Sequence, residues 1–151
     1  MRAIMDSFGV AGIEENWLVK PTQTGGTDSL LNMILYAVGQ QPGDMLFVEP
    51  DEKKADEISA ERIDDMIAHC DKLQEIRDSA PRTTGLKRKK FTTMSVYFGW
   101  SGSASSLASR PLPYVLFDEV DKYGAFAGKE GSPQTGLHLY AHARDGLHLS
   151  G

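Results

Sequence analysis

Few folds accommodate the order in which residues 17–38 run. An apolar triplet, Trp17-Leu18-Val19, is followed by Lys20-Pro21-Thr22-Gln23-Thr24-Gly25-Gly26-Thr27-Asp28. A segment with helical spacing comes next, in which Leu30, Ile34 and Val38 share a face with Leu31 and Leu35. The pattern predicts a buried strand over residues 14–20, a glycine loop over 20–27 and a helix from Ser29. Strand, glycine loop and helix in this order can converge backbone N–H groups on an anion. Set against the phosphate-loop pattern G-x-x-x-x-G-K-[ST], residues 20–27 place Gly25 at the second glycine and Thr27 at the Mg2+-binding hydroxyl. Gly26 stands where the lysine belongs, and Lys20 stands at the first glycine. Lys20 is a flexible point charge that can reach the β- and γ-phosphates from the start of the loop. An ordinary Gly-Gly turn between strand and helix also fits this window taken alone.

A second segment, about ninety residues downstream, narrows the choice: Tyr114-Val115-Leu116-Phe117-Asp118-Glu119. It predicts a buried strand ending in two carboxylates. In parallel α/β sheets ligands sit at the carboxyl ends of the strands, so loop and carboxylates are expected side by side. Asp118 would hold Mg2+ through its water shell, and Glu119 would orient and deprotonate the water attacking a γ-phosphate. An isolated Asp-Glu pair also opens many solvated loops. The two segments together, each after an apolar run, select a nucleotide site.

The chain has 151 residues, enough for one domain with a real core. Its 40% hydrophobic and 25% charged residues are ordinary for a globular protein. A net charge of −5 excludes a general coat of nucleic acid, so any basic contact surface is local. Cys70 is the single cysteine; it forms no internal disulfide and is expected to pack in a helix. No apolar run is long enough to span a membrane, and the N-terminus has no signal-like apolar core, so the expected setting is cytoplasmic.

Residues 45–48 predict a second strand, closed by Glu49-Pro50, and Asp51 is expected to cap a long helix carrying Ala55, Ile58, Ile63, Met66, Ile67, Cys70 and Leu73. The charges Asp51, Glu52, Lys53, Lys54, Asp56 and Glu57 read as its solvated face. Residues 91–100 predict a strand or hairpin. The basic run Lys87-Arg88-Lys89-Lys90 is either a contact for nucleic-acid phosphates or a solvated turn. Residues 104–108 suggest a short helix, and no serine near them has an acid–base partner. His138 and His142 have the spacing of a metal pair but lack a third ligand, so they read as structural or exposed. Alternating strands and helices give an α/β fold with a mostly parallel sheet covered on both faces, three layers of the P-loop NTPase type.

Several segments in order carry a family likeness. They are Ile4-Met5-Asp6, the variant loop at residues 20–27, residues 42–50, residues 103–109, Asp118-Glu119-Val120-Asp121-Lys122-Tyr123 and Glu130-Gly131-Ser132-Pro133. Over residues 3–133 the chain resembles the N-terminal ATPase region of the large terminase subunit of tailed phages, of the lambda-like type. The resemblance implies an ATP- and Mg2+-dependent DNA-packaging motor. Its partners would be double-stranded DNA, other large-subunit copies in a ring, the small terminase subunit and the capsid portal, in the host cytoplasm. Residues 20–28 would bind nucleotide, with Lys20 and Glu119 catalytic and Thr27 and Asp118 on the metal. Residues 1–151 would then form a single ATPase domain with an atypical tail at 134–151 and no nuclease domain. Two rival readings stay open: a catalytically inactive assembly module, which Gly26 favours, and another helicase-like P-loop ATPase.

Overall fold

The computed structural model describes residues 2–8, 10, 12–13, 15–19, 24–78, 85–103 and 112–123. Lys20, Pro21, Thr22 and Gln23, the expected helix at 104–108, and the tail with His138 and His142 lie outside the described residues. A short helix, α1 (Arg2–Ser7), leads in.

The sheet is built around the most apolar run after the loop. Strand β1 (Met45–Glu49) is buried at every position, the condition of a parallel strand covered on both faces. It pairs in parallel with β3 (Ser95–Trp100), Phe47 opposite Phe98, and with β4 (Tyr114–Phe117), Phe47 opposite Leu116. Strand β2 (Arg88–Lys90) pairs antiparallel to β3, giving the order β2-β3-β1-β4. The strand or hairpin expected at 91–100 is this β2–β3 hairpin. Its first strand is made from the basic run, and Phe91 N–H donates to the Met94 carbonyl across the turn at 2.8 Å.

Side chains alternate across β1. Met45 and Phe47 join Val96 and Phe98 in the larger core cluster, and Leu46 and Val48 join Leu112 in a smaller one. Helix α2 (Gly26–Gln40) adds Leu31, Ile34, Ala37 and Val38 to the larger cluster. Helix α3 (Glu52–Glu57) runs through a π-helical segment (Ile58–Ile63) into α4 (Asp64–Ala68), and α5 (Asp71–Asp78) follows. These supply Ile58, Ile63, Ile67 and Leu73 to the same cluster. The described helices α2–α5 therefore pack on one face; on the other, the described cover is Leu112 and Tyr123.

Two expectations change. Residues 15–19 form no strand: Trp17 is 70% and Val19 99% exposed. Three apolar residues in a row have strand character only when a neighbouring strand pairs with them. No described strand pairs with residues 15–19. The long helix after Asp51 is capped as expected, with Asp51 Oδ1 accepting from Lys54 N–H at 2.9 Å. It stops at His69, however. Cys70 sits in the turn between α4 and α5, half-buried against the core, and its carbonyl accepts from Leu73 and Gln74 N–H.

The approach to β1 is tight. A Cβ at Gly43 would come within 2.8 Å of the Tyr114 ring and 3.0 Å of Pro113. Gly43→Ala is expected to destabilise the fold by about 1–3 kcal/mol, the usual cost of overpacking. Denaturant unfolding measures it, and an unchanged midpoint would mean that the Tyr114 ring moves aside freely.

Candidate nucleotide site

The carboxyl ends of β1 and β4 lie side by side because the strands are parallel neighbours. The Asp118 N–H donates to the Val48 carbonyl at 3.0 Å, one step beyond the end of β4. Tyr114 and Leu116 pack on the helix side of the sheet. Asp118 shares their phase, so its side chain lies on that side as well, 2% exposed. There it meets the start of α2: Thr27 Oγ1 donates to Asp118 Oδ2 at 2.5 Å. Gly25 makes the entry into α2 in the left-handed region, φ 77°, where glycine carries no Cβ penalty. Its carbonyl accepts from Ser29 N–H and Ser29 Oγ, both at 3.1 Å.

Glu119 takes the backbone out of the strand. Its φ of 49° makes it the one non-glycine residue with positive φ among the described residues. A side chain in this conformation costs about 1–3 kcal/mol and persists where the surroundings impose it. Here a 3-10 turn (Val120–Lys122) follows directly. Tyr123 then folds back, its hydroxyl donating to the Val48 carbonyl at 2.8 Å. Burial pushes the Tyr123 phenol above its usual range. The turn suspends strand alternation, so consecutive carboxylates need not point to opposite faces. The Glu119 carboxylate is bonded by Lys54 Nζ and, at 2.9 Å, by Lys122 Nζ. These bonds, Lys54's first, hold its carboxyl below the ordinary range.

Two site residues escaped the sequence reading. Glu49 is in phase with Met45 and Phe47 and fully buried, and among the described residues no donor lies within hydrogen-bond distance of its carboxylate oxygens. Its ion-pair partner is Lys54 Nζ at 3.6 Å. Burial, then the charge of Asp118, pushes the Glu49 carboxyl up to about 7, against the opposing pull of Lys54. Lys54 is therefore no part of a solvated face, as its neighbours in sequence suggest. It bridges Glu49 and Glu119 across the two strand ends. Burial works against its charge, but the hydrogen bond to Glu119 and the charges of Glu49 and Glu119 hold its ammonium above the ordinary range. The available signal was phase: Glu49 is the fifth residue of an alternating run whose first and third positions face the core.

Of the residues expected at the site, the structure brings Thr27 and Asp118 together, with Gly25, Gly26 and Asp28 at the start of α2; Glu119 donates its N–H to Asp118 Oδ1, and its carboxylate turns to Lys54 and Lys122. Thr24 precedes Gly25, and Lys20 to Gln23 lie outside the described residues. Asp28 is paired with Arg62 from the π-helical segment, and its carbonyl accepts from Asn32 Nδ2 at 2.8 Å. Among the described residues no group of three or more His, Cys, Asp and Glu is arranged to hold a metal. Thr27 and Asp118 present two hard oxygens, which suits Mg2+, an ion that keeps several waters and takes its other ligands from phosphate.

The basic run is no solvated turn: residues 88–90 form β2, and three of its four cations have partners within the molecule. Lys87 pairs with Asp56 at 2.6 Å and Glu52 at 3.1 Å and lies 4.5 Å over the Trp100 ring. Arg88 donates to Ser95 Oγ at 2.9 Å and lies over Tyr97. Lys89 is 8% exposed and pairs with Asp64 at 2.7 Å. Lys87 and Lys89 tie the β2–β3 hairpin to α3 and α4, and Arg88 ties β2 to β3.

A family model described as phage terminase large subunit gpA, ATPase domain, matches residues 1–138. No curated protein and no solved structure matches the chain.

Proposed function

The chain belongs to the family of phage terminase large subunit gpA ATPase domains, and on that premise we propose that it binds and hydrolyses ATP with Mg2+ to drive DNA packaging. The observation that carries the reading is the Thr27–Asp118 hydrogen bond, which joins the start of α2 to the end of β4. Lys20 and the backbone of residues 20–28 bind the phosphates. Thr27 and Asp118 hold Mg2+, which neutralises phosphate charge when bound. Glu119 orients the attacking water and accepts its proton. Its partners are double-stranded DNA, further copies of the subunit in a ring, the small terminase subunit and the portal, in the host cytoplasm. Gly26, in the place of the usual lysine, favours a second reading: an inactive assembly module that keeps the fold without turnover.

Calorimetric titration with ATP, with and without Mg2+, tests the site. Asp118→Asn is expected to lower Mg2+-dependent affinity about 10–100-fold, the scale on which losing a group that supports a metal acts. Equal Mg2+ dependence in parent and variant would remove Asp118 from the metal.

A further inference from the structure

The site has an arrangement that neither the phosphate-loop pattern nor the Asp-Glu pair accounts for. Glu49 is a carboxylate at 0% exposure whose oxygens accept no hydrogen bond from the described residues, at the carboxyl end of β1. A buried carboxylate without donors is costly unless a cation stands beside it. That cation is Lys54, whose Nζ lies 3.6 Å from Glu49 and is hydrogen-bonded to Glu119. Asp51 fixes the backbone from which Lys54 extends by accepting its N–H. Lys54 is only 30% exposed and stands at the strand ends where Asp118 meets Thr27. Meanwhile the loop position nearest the helix that would ordinarily carry a lysine is Gly26.

We propose that Lys54 is a γ-phosphate-binding cation of this site and that Glu49 is the positioning residue that holds it there. The inference rests on the nucleotide reading above and names a residue that the reading does not use. In the nucleotide-free protein Glu119 neutralises Lys54. A γ-phosphate entering between α2 and the strand ends takes over that role and relieves Glu119 Oε2 of one of its two lysines, leaving Lys122. Glu49, buried and anchored on β1, keeps the ammonium at the strand ends through the exchange. A charge at the γ-phosphate is thus supplied from α3, after β1, beside that of Lys20 at the start of the loop.

The discriminating experiment compares ATP and ADP, both with Mg2+, by calorimetric titration of the parent, Lys54→Met, Lys54→Arg and Glu49→Gln. Circular dichroism of each verifies folding. Lys54→Met is expected to weaken ATP at least tenfold while leaving ADP within about twofold, because the contact is to the γ-phosphate alone; a charge-assisted bond has this strength. Lys54→Arg, which keeps the charge, is expected to restore most of the ATP affinity. Glu49→Gln is expected to weaken ATP less than Lys54→Met, again with ADP spared. A parent that binds both nucleotides alongside a Lys54→Met variant with unchanged ATP affinity overturns the assignment and leaves the nucleotide reading standing. Equal losses for ATP and ADP also overturn it, since they mark a general effect on the fold. A parent that binds neither nucleotide overturns the nucleotide reading itself, and this assignment with it.

Discussion

Glu119→Gln is expected to bind Mg2+–ATP like the parent chain and to release phosphate about 10²–10⁴-fold more slowly, the range over which a general base acts. The substitution keeps the size of the side chain and removes the oxygen charge that would accept a proton from water. The left-handed backbone at Glu119, φ 49°, takes it out of the strand alternation, and its carboxylate reaches Lys54, the lysine paired with Glu49. Lys54 and Lys122 keep the carboxyl ionised, since both hydrogen bonds favour the charged form. Both bonds fall on Oε2. Neither falls on Oε1, and γ-phosphate capture by Lys54 would leave Lys122 alone on Oε2. Phosphate release and nucleotide affinity, measured on the same samples, check this. A variant that turns over at the parent rate would remove Glu119 from the role of base. A parent that binds nucleotide without hydrolysing it, even with a complete partner subunit present, would support the assembly-module reading instead.

Glu49→Gln is expected to stabilise the fold by about 3 kcal/mol above pH 7 and to change it little below pH 4.5. The Glu49 carboxyl is raised from 4.5 to about 7, burial being the largest cause. A carboxyl of this kind holds its proton more tightly folded than unfolded. Its contribution to stability is intact at pH values below 4.5. As pH rises from 4.5 through 7 the unfolded chain ionises first, and the folded state loses ground until Glu49 is ionised as well. A shift of about 2.5 units corresponds to about 3 kcal/mol at 1.36 kcal/mol per unit. Glutamine is neutral throughout and escapes that loss. Denaturant unfolding at pH 4 and pH 8 gives the comparison, and a difference between parent and variant that does not change with pH would refute the buried-carboxylate account. With the expected loss of ATP affinity, this variant would gain stability and lose function, the relation expected where a site retains a costly buried charge.

Residues 45–48 show what periodicity alone conveys. Apolar residues at consecutive positions require two covered faces, and β1 is buried throughout. The cap at Asp51 and the helical spacing of Leu30, Ile34 and Val38 are equally local and appear in place. Thr27 and Asp118 are far apart in the chain, and no described strand precedes Thr27, so they meet through the packing of α2 on the face of the sheet that Asp118 shares. The structure puts them within a hydrogen bond of each other.

Residues 15–19, Lys54 and the run 87–90 were opaque for a common reason. An apolar triplet has the same propensity whether or not a strand pairs with it, and residues 15–19 stay exposed for want of that partner. A lysine on a helix has the same local pattern whether it meets water or a carboxylate. Lys54 and Lys87 both leave α3 or meet it, and they find their acids on β1, after β4 and along α3 itself, where α3 follows β1 and packs on β1 and β3. Period, caps and strand order are properties of neighbouring residues, and the amino-acid sequence carries them directly. Which charge meets which depends on distances between elements remote along the chain. Those distances are set by packing of the core and came only with the tertiary structure, which buried Glu49 and turned Lys54 toward it.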